Sequence, residues 1–90
     1  MTTIDEVRMS IEKMTGRKPD LTLDGIAALW PEGWWWRRYP LPCTNVVWEA
    51  GRHGDSVIKV KFLDTGNEYN DRLRLLHAVL SASAKEQQKQ

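Results

Sequence analysis

Cysteine is scarce in this sequence, since Cys43 is the only one among 90 residues. A single thiol cannot form an intramolecular disulfide, and it cannot supply a metal site that requires several cysteines. A chain without a disulfide framework suits the reducing environment of the cytosol. We therefore expect a cytoplasmic protein whose fold depends on packing alone.

Long apolar runs are also missing. No stretch approaches the roughly 20 apolar residues that a membrane-spanning helix requires. The first six residues, MTTIDE, lack the basic and apolar regions of a signal peptide. The sequence therefore predicts no membrane partner and keeps the cytoplasm as the expected location.

A strong excess of either charge is absent as well. Thirteen Lys and Arg against twelve Asp and Glu give a net charge of +1, far from the basic balance of a dedicated duplex-DNA binder. Apolar residues make up 41% and charged residues 28%, which is typical of a small soluble domain. The small basic excess lies in residues 33–65, the segment that contains most of the tryptophans.

Groups that carry chemistry are few and scattered. The two histidines, His53 and His77, lie in different predicted elements, and no spacing places Cys43 beside either of them with an orienting third group. The acidic residues match no calcium loop, and the glycines match no phosphate-binding loop. We therefore predict that the protein is not an enzyme, holds no metal and uses no cofactor.

Helices are predicted at both ends of the chain. Thr3 and Glu6 have the spacing of a capping box, and Gly16 is a plausible stop, so the first helix is expected over residues 4–15. A short second helix is expected around residues 24–30, where Pro31 and Gly33 must end it. One face of a C-terminal helix is predicted to be apolar and to contain Tyr69, Leu73, Leu76, Val79 and Leu80.

The rest of that C-terminal helix carries two further expectations. Asp71, Arg72 and Arg74 are predicted to point away from the core. A flank of small residues is expected to pack on the sheet, although small residues also permit close approach of helices in a homodimer, which stays an open alternative. The flank consists of Ala78, Ala82 and Ala84.

Three strands are predicted between the helices, over residues 34–39, 45–50 and 56–63. In the third strand apolar and basic residues alternate, which is the pattern of a half-buried antiparallel strand. Its apolar residues, expected to face the helices, are Ile58, Val60 and Phe62. With the glycine-rich segment 51–55 as a turn, the last two strands are predicted to form a hairpin.

This order of elements predicts an α+β fold. We expect a small three-stranded antiparallel sheet with the N-terminal helix, the short second helix and the C-terminal helix packed on one face. Residues 1–84 are predicted to form a single domain, and residues 85–90 a polar, frayed tail. So few helices cover only one face of a sheet, and the other face is therefore available for binding.

The most distinctive stretch is GWWWRRYPLP at residues 33–42. Side chains alternate between the two faces of a strand, so one face is predicted to receive Trp34, Trp36 and Arg38, and the other Trp35, Arg37 and Tyr39. A purely structural interpretation is that the tryptophans mostly build the core, but this alternation argues against burial of all three. Trp and Arg are enriched at protein-binding hot spots.

Two functions follow from this stretch. The preferred hypothesis is a protein-binding module that contacts another protein, such as a host protein complex, through Trp34, Trp35, Trp36, Arg37, Arg38 and Tyr39. In type it resembles the small inhibitors or adaptors that phages and mobile elements direct at host proteins. The alternative is binding of single-stranded nucleic acid by the same stretch, since bases stack on aromatic rings. Further contacts would then come from Arg52, Lys59 and Lys61, although the sequence has no RNA-recognition fingerprint.

Overall fold

The computed structural model describes residues 3–17, 23–42 and 45–88. Its elements follow the order α1 (Ile4–Thr15), α2 (Leu23–Ala27), β1 (Trp34–Pro40), β2 (Val46–Arg52), β3 (Val60–Leu63) and α3 (Glu68–Gln88). Cys43, for which a non-catalytic role was expected, lies outside the described residues.

Helix α1 begins and ends where local sequence predicts. The Thr3 hydroxyl oxygen accepts a hydrogen bond from the Glu6 N–H at 3.2 Å, which satisfies one of the free donors of the first turn. At the other end Gly16 adopts φ 73°, a left-handed conformation that glycine reaches without steric cost, and its N–H bonds the Glu12 carbonyl. Val7 and Ile11 form the buried stripe of the helix.

The three strands form one antiparallel sheet in the order β1-β2-β3, so β2 is central and β1 and β3 are edges. The predicted pairing of the last two strands is confirmed, with Trp48 opposite Phe62 and Ala50 opposite Val60. However, β3 begins only at Val60, and Ile58 is exposed in the preceding loop instead of facing the helices.

Local hydrogen bonds explain the short third strand. The Asp55 carboxylate accepts a hydrogen bond from the Val57 N–H at 3.0 Å, which holds residues 55–57 in a turn. The chain rejoins β2 only where the Lys59 N–H donates to the Ala50 carbonyl. β2 continues through Gly51 to Arg52, so these two residues belong to the strand and not to the turn that the sequence predicts for residues 51–55.

Helix α3 connects the sheet to the other helices. On one side its Leu75 and Val79 pack against Trp34 and Trp48 of the sheet. On its other side a second cluster joins it to α1 and α2, and that cluster consists of Val7, Ile11, Ile26, Leu73 and Leu76. The molecule is therefore an α+β fold with all its described helices on one side of a three-stranded antiparallel sheet, as predicted.

One expectation about α3 is wrong. Asp71 does not point away from the core; it is fully buried. Its carboxylate accepts hydrogen bonds from the Thr65 hydroxyl at 2.7 Å and the Thr65 N–H at 3.0 Å. A buried carboxylate is tolerated where donors surround it, and here it joins the first turn of α3 to the loop that follows β3.

The remainder of α3 bears on the expected tail and on the homodimer alternative. The helix continues past Ala84 as far as Gln88, into the first part of the polar C-terminal segment. Ala78 and Ala82 pack against the sheet cluster, so these two residues serve contacts within the chain. Across residues 3–17, 23–42 and 45–88, no helix combines the length and the apolar character needed to cross a bilayer.

Candidate functional site

The two faces of β1 have different environments. Trp34, on the face that packs against α3, is 5% exposed, whereas Trp35 on the opposite face is half-buried. Trp36 shares the face of Trp34 but stays 40% exposed. We call the face turned away from the helices the open face; by register it carries Trp35, Arg37, Tyr39, Val47, Glu49, Gly51, Lys61 and Leu63.

Arg37 is the centre of the open face. Its Nε donates to Glu49 Oε1 at 2.8 Å, directly across the strand pair. Its guanidinium carbon lies 5.3 Å from the centroid of the Trp35 ring and 5.4 Å from that of Tyr39. The cation is thus held between two rings of its own strand while its side chain remains 57% exposed.

Glu49 lies beneath this row and is fully buried. One of its carboxylate oxygens accepts the bond from Arg37, while Oε2 is buried and has no hydrogen-bond partner among the described residues. Burial raises the pKa of the Tyr39 hydroxyl, and the neighbouring Glu49 carboxylate raises it further, against the opposing effect of Arg37. Tyr39 therefore remains a neutral hydrogen-bonding group.

Gly51 provides the surface on which Trp35 lies. The two residues are opposite each other in the β1–β2 register, and a Cβ at Gly51 would stand 2.7 Å from Cζ2 of the Trp35 ring. Any side chain there would force the ring to move. The missing side chain therefore lets the indole lie directly against the backbone of β2.

The face toward the helices contains a second feature beside the β1 edge. The Trp36 ring stacks on Trp48 at 5.7 Å between centroids, and the Arg72 guanidinium carbon lies 4.7 Å from the Trp36 centroid. A groove of about 210 Å³ opens next to them, and its lining consists of Ile26, Ala27, Trp30, Trp36, Arg72 and Leu75.

Arg38 is turned away from the open face, although the sequence predicts it in the same contact surface as Arg37. Its guanidinium carbon lies 5.3 Å from the Trp48 centroid, and its Nε is 3.6 Å from Asp64 Oδ1. Asp64 also accepts a 2.8 Å hydrogen bond from the Trp48 indole N–H. Arg38 thus forms part of a network at the rim of the core.

The three basic residues proposed for nucleic-acid contact are dispersed. Lys61 lies on the open face opposite Glu49, whereas Arg52 lies at the end of β2 in register with Trp34. Lys59 is outside the strands and forms an ion pair with Asp55 at 3.4 Å. Only Lys61 of the three joins Arg37 on one face.

The two histidines lie in different parts of the described structure. His53 is exposed in the turn after β2, and His77 is half-buried on α3. No three His, Cys, Asp or Glu side chains of the described residues lie close enough together to hold a metal ion. What the described residues do assemble is the ordered aromatic and arginine row of the open face.

No protein-family model matches the chain, and the same holds for curated proteins and for solved structures.

Two residues of the site were not singled out from the sequence. The sequence around Glu49 does not show that this glutamate lies opposite Arg37 in the sheet, so it does not indicate a role for Glu49. Gly51 was assigned to a turn, and an indole across from a glycine is visible only when the register is known. Both become recognisable once Trp34 is paired with Arg52.

Proposed function

We propose that this chain is a non-enzymatic protein-binding domain, acting as an inhibitor or adaptor, whose contact surface is the open face of its sheet. The observation that supports this proposal best is the ordered row of Trp35, Arg37 and Tyr39 above the buried Glu49 carboxylate. Trp34, Trp36 and Arg38 belong to the other face, so they support the surface without forming its centre.

The order of this row is what makes it suitable for binding. Long side chains normally lose conformational entropy when a partner immobilises them, at about 0.5–1.5 kcal/mol each. Arg37 is already held by Glu49 and by two rings, and Trp35 already rests on Gly51. Binding therefore orders little that is not ordered beforehand.

The composition of the row also fits a protein partner. Trp, Tyr and Arg are the residues most enriched at hot spots, where each presents a large surface and a hydrogen-bonding group. The exposed part of the Arg37 guanidinium can donate to acceptors of a partner, while Trp35 and Tyr39 contribute apolar contact beside it.

The nucleic-acid alternative has weaker support from the same geometry. Affinity for a phosphate backbone comes largely from cations that neutralise phosphates and release counterions. Arg37, Arg38 and Lys59 each lie beside a carboxylate of the chain itself. Their positive charge is therefore partly offset already, and the open face has only a small net charge.

The proposal is tested by affinity capture with matched variants. The wild type and two variants are immobilised and exposed to lysate of the source cells. Trp35→Ala removes one ring of the row, and the control Met9→Ala removes a side chain on α1 that is 59% exposed. A true partner is retained by Met9→Ala and lost with Trp35→Ala. Its purified form should bind Trp35→Ala more weakly by about 2 kcal/mol, roughly 30-fold.

A salt series separates the two functions. The affinity for a protein partner should change little between about 50 and 200 mM salt, a range in which contacts with phosphate weaken strongly. The affinity for a single strand of nucleic acid should fall steeply over the same range. Tight, salt-sensitive binding of a labelled oligonucleotide, lost in Lys61→Ala, would favour the alternative. Equal capture of a partner by the wild type, Trp35→Ala and Met9→Ala would contradict the proposed surface.

A further inference from the structure

The outer edge of β1 has a regular set of backbone groups that the sheet does not use. At one end the Gly33 carbonyl accepts from the His53 N–H at 2.8 Å, and at the other the Leu41 N–H donates to the Asn45 carbonyl. In antiparallel pairs, hydrogen-bonded and non-hydrogen-bonded residue pairs alternate. The residues between these ends whose backbone groups bond to β2 are therefore Trp35, Arg37 and Tyr39.

The alternate residues of β1 direct their backbone groups to the edge. They are Trp34, Trp36, Arg38 and Pro40. Of the eight backbone N and C=O groups on these four residues, two cannot pair with another strand. The Trp34 carbonyl already accepts from the Trp30 indole N–H at 2.9 Å, and proline has no N–H. Within residues 3–17, 23–42 and 45–88, the edge thus presents three donors, on Trp34, Trp36 and Arg38, and three acceptors, on Trp36, Arg38 and Pro40.

This set of groups is complementary to itself. If a second β1 strand lies antiparallel to the first with Trp34 opposite Pro40, then Trp36 lies opposite Arg38, and every donor meets an acceptor. The occupied carbonyl of Trp34 then faces the position where Pro40 lacks a hydrogen. A shift of two residues in either direction leaves donors or acceptors of the set unpaired, so one antiparallel register satisfies them all.

We propose that two copies of this chain pair through their β1 edges in this register, which joins two three-stranded sheets into one continuous antiparallel sheet. The two-fold axis passes between the two Arg37 residues. The β3 edge is less suited to such pairing, because it is only four residues long and short edge strands resist pairing.

The side chains of the open face agree with this arrangement. Trp35 of one copy lies opposite Tyr39 of the other on both sides of the axis, and aromatic cross-strand pairs stabilise sheets. The two Arg37 side chains meet at the axis, but each lies beside its own Glu49 carboxylate at 2.8 Å.

This pairing goes beyond the proposed function. Binding of a partner uses side chains of the open face, whereas pairing requires the N–H and C=O groups of the β1 edge and adds contacts between Trp35 and Tyr39 of the two copies. Removal of an edge N–H therefore tests pairing without altering the side chains of the open-face row. The affinity of the same variant for a partner shows whether the proposed function holds when pairing fails.

The decisive variant is Arg38→Pro, compared with Arg38→Ala. Both lose the contacts of the Arg38 side chain with Asp64 and Trp48, but only proline removes the N–H, which makes no bond to β2. Sedimentation up to about 1 mM should show a dimer for the wild type and for Arg38→Ala. For Arg38→Pro the dissociation constant should rise at least about tenfold, because one hydrogen bond is lost from each copy.

Amide exchange of the unaltered protein provides a second readout in case proline disturbs the fold. The N–H groups of Trp36 and Arg38 should exchange more slowly as the protein concentration rises, while those of Trp35 and Arg37 are protected at every concentration. A monomer throughout the concentration range would overturn the proposal. A dimer that tolerates Arg38→Pro as well as Arg38→Ala would also overturn it, since it would use another surface.

Discussion

The two faces of the sheet protect their central strand by different means. On the helix face Trp48 is covered by Leu75 and Val79 of α3 and by its aromatic neighbours. On the open face Val47 and Glu49 of the same strand are also buried, although the helices lie on the other side. One face therefore buries its centre by docking another element, and the other does so with long side chains of the edge strands.

This difference has a consequence for function. A surface covered by helix α3 cannot be rearranged without unfolding the core, so it contributes stability. A surface covered by Arg37 and its flanking rings is built from side chains that remain partly exposed. The open face is therefore ordered and also accessible, which is the combination that a binding surface requires.

The largest expected effect comes from the consecutive tryptophans. Trp34→Ala should lower the free energy of unfolding by about 3–5 kcal/mol, because it leaves a cavity in the sheet cluster. Trp35→Ala and Trp36→Ala should cost much less, since both rings are only partly buried. Chemical denaturation of the three variants measures these costs. Similar losses in all three would mean that the two faces are equally part of the core.

The next effect concerns the ion pair between the exposed Arg37 and the buried Glu49 on the open face. Arg37→Ala leaves the Glu49 carboxylate buried without its donor, which should cost about 2–3 kcal/mol. Glu49→Leu removes the buried charge and leaves an arginine that water can reach, so it should change stability by less than about 1 kcal/mol. Chemical denaturation of Arg37→Ala and Glu49→Leu measures the two losses in the free energy of unfolding. A larger loss in Glu49→Leu would show that Arg37 does not compensate a buried charge.

A smaller effect is expected where Trp35 lies on Gly51. Gly51→Ala should cost about 1–2 kcal/mol, because the new methyl group displaces the indole. In a Trp35→Ala background the same substitution should be nearly neutral, since nothing then occupies that space. Unfolding of the two single variants and the double variant gives the coupling energy. Additive losses would show that the indole does not rest on Gly51.

The smallest effect is a pH dependence on the helix face. The Trp48 indole N–H holds the pKa of Asp64 below its usual 3.8, against the opposing effect of burial. A hydrogen bond with Asp71, the Gly66 N–H and Arg38 act in the same direction as Trp48. A depressed pKa in the folded state means that the ionised form stabilises the fold. This contribution is complete above pH 4 (roughly the unfolded pKa) and is lost as pH falls through the lower folded value.

The measurement is the free energy of unfolding between about pH 2 and 6 for the wild type, Asp64→Asn and the exposed control Asp24→Asn. In Asp64→Asn the free energy of unfolding should fall less steeply at acid pH than in the wild type. In Asp24→Asn its fall should stay close to that of the wild type. Identical acid profiles for the wild type and Asp64→Asn would exclude a stabilising role for this carboxylate.

Much of the fold was predictable because its signals are local. The Thr3 cap and the Gly16 stop define α1 within a few residues of chain, and strand alternation alone separates Trp34 from Trp35. The pairing of β2 with β3 followed from apolar alternation across a glycine-bearing loop. Such features depend on backbone geometry and on neighbours in the sequence.

Other features were decided only when distant segments met. Asp71 resembled a solvent-facing helix residue until the loop at Thr65 supplied its donors. The burial of Glu49 depends on a register that places it opposite Arg37, twelve residues earlier in the chain. Trp34 and Trp36 share one face, yet only Trp34 is buried. Trp34 packs in the cluster of Leu75 and Val79, whereas Trp36 lies between Trp48 and the partly exposed Arg72. Alternation assigns a side chain to a face, but packing between elements determines whether that position is buried.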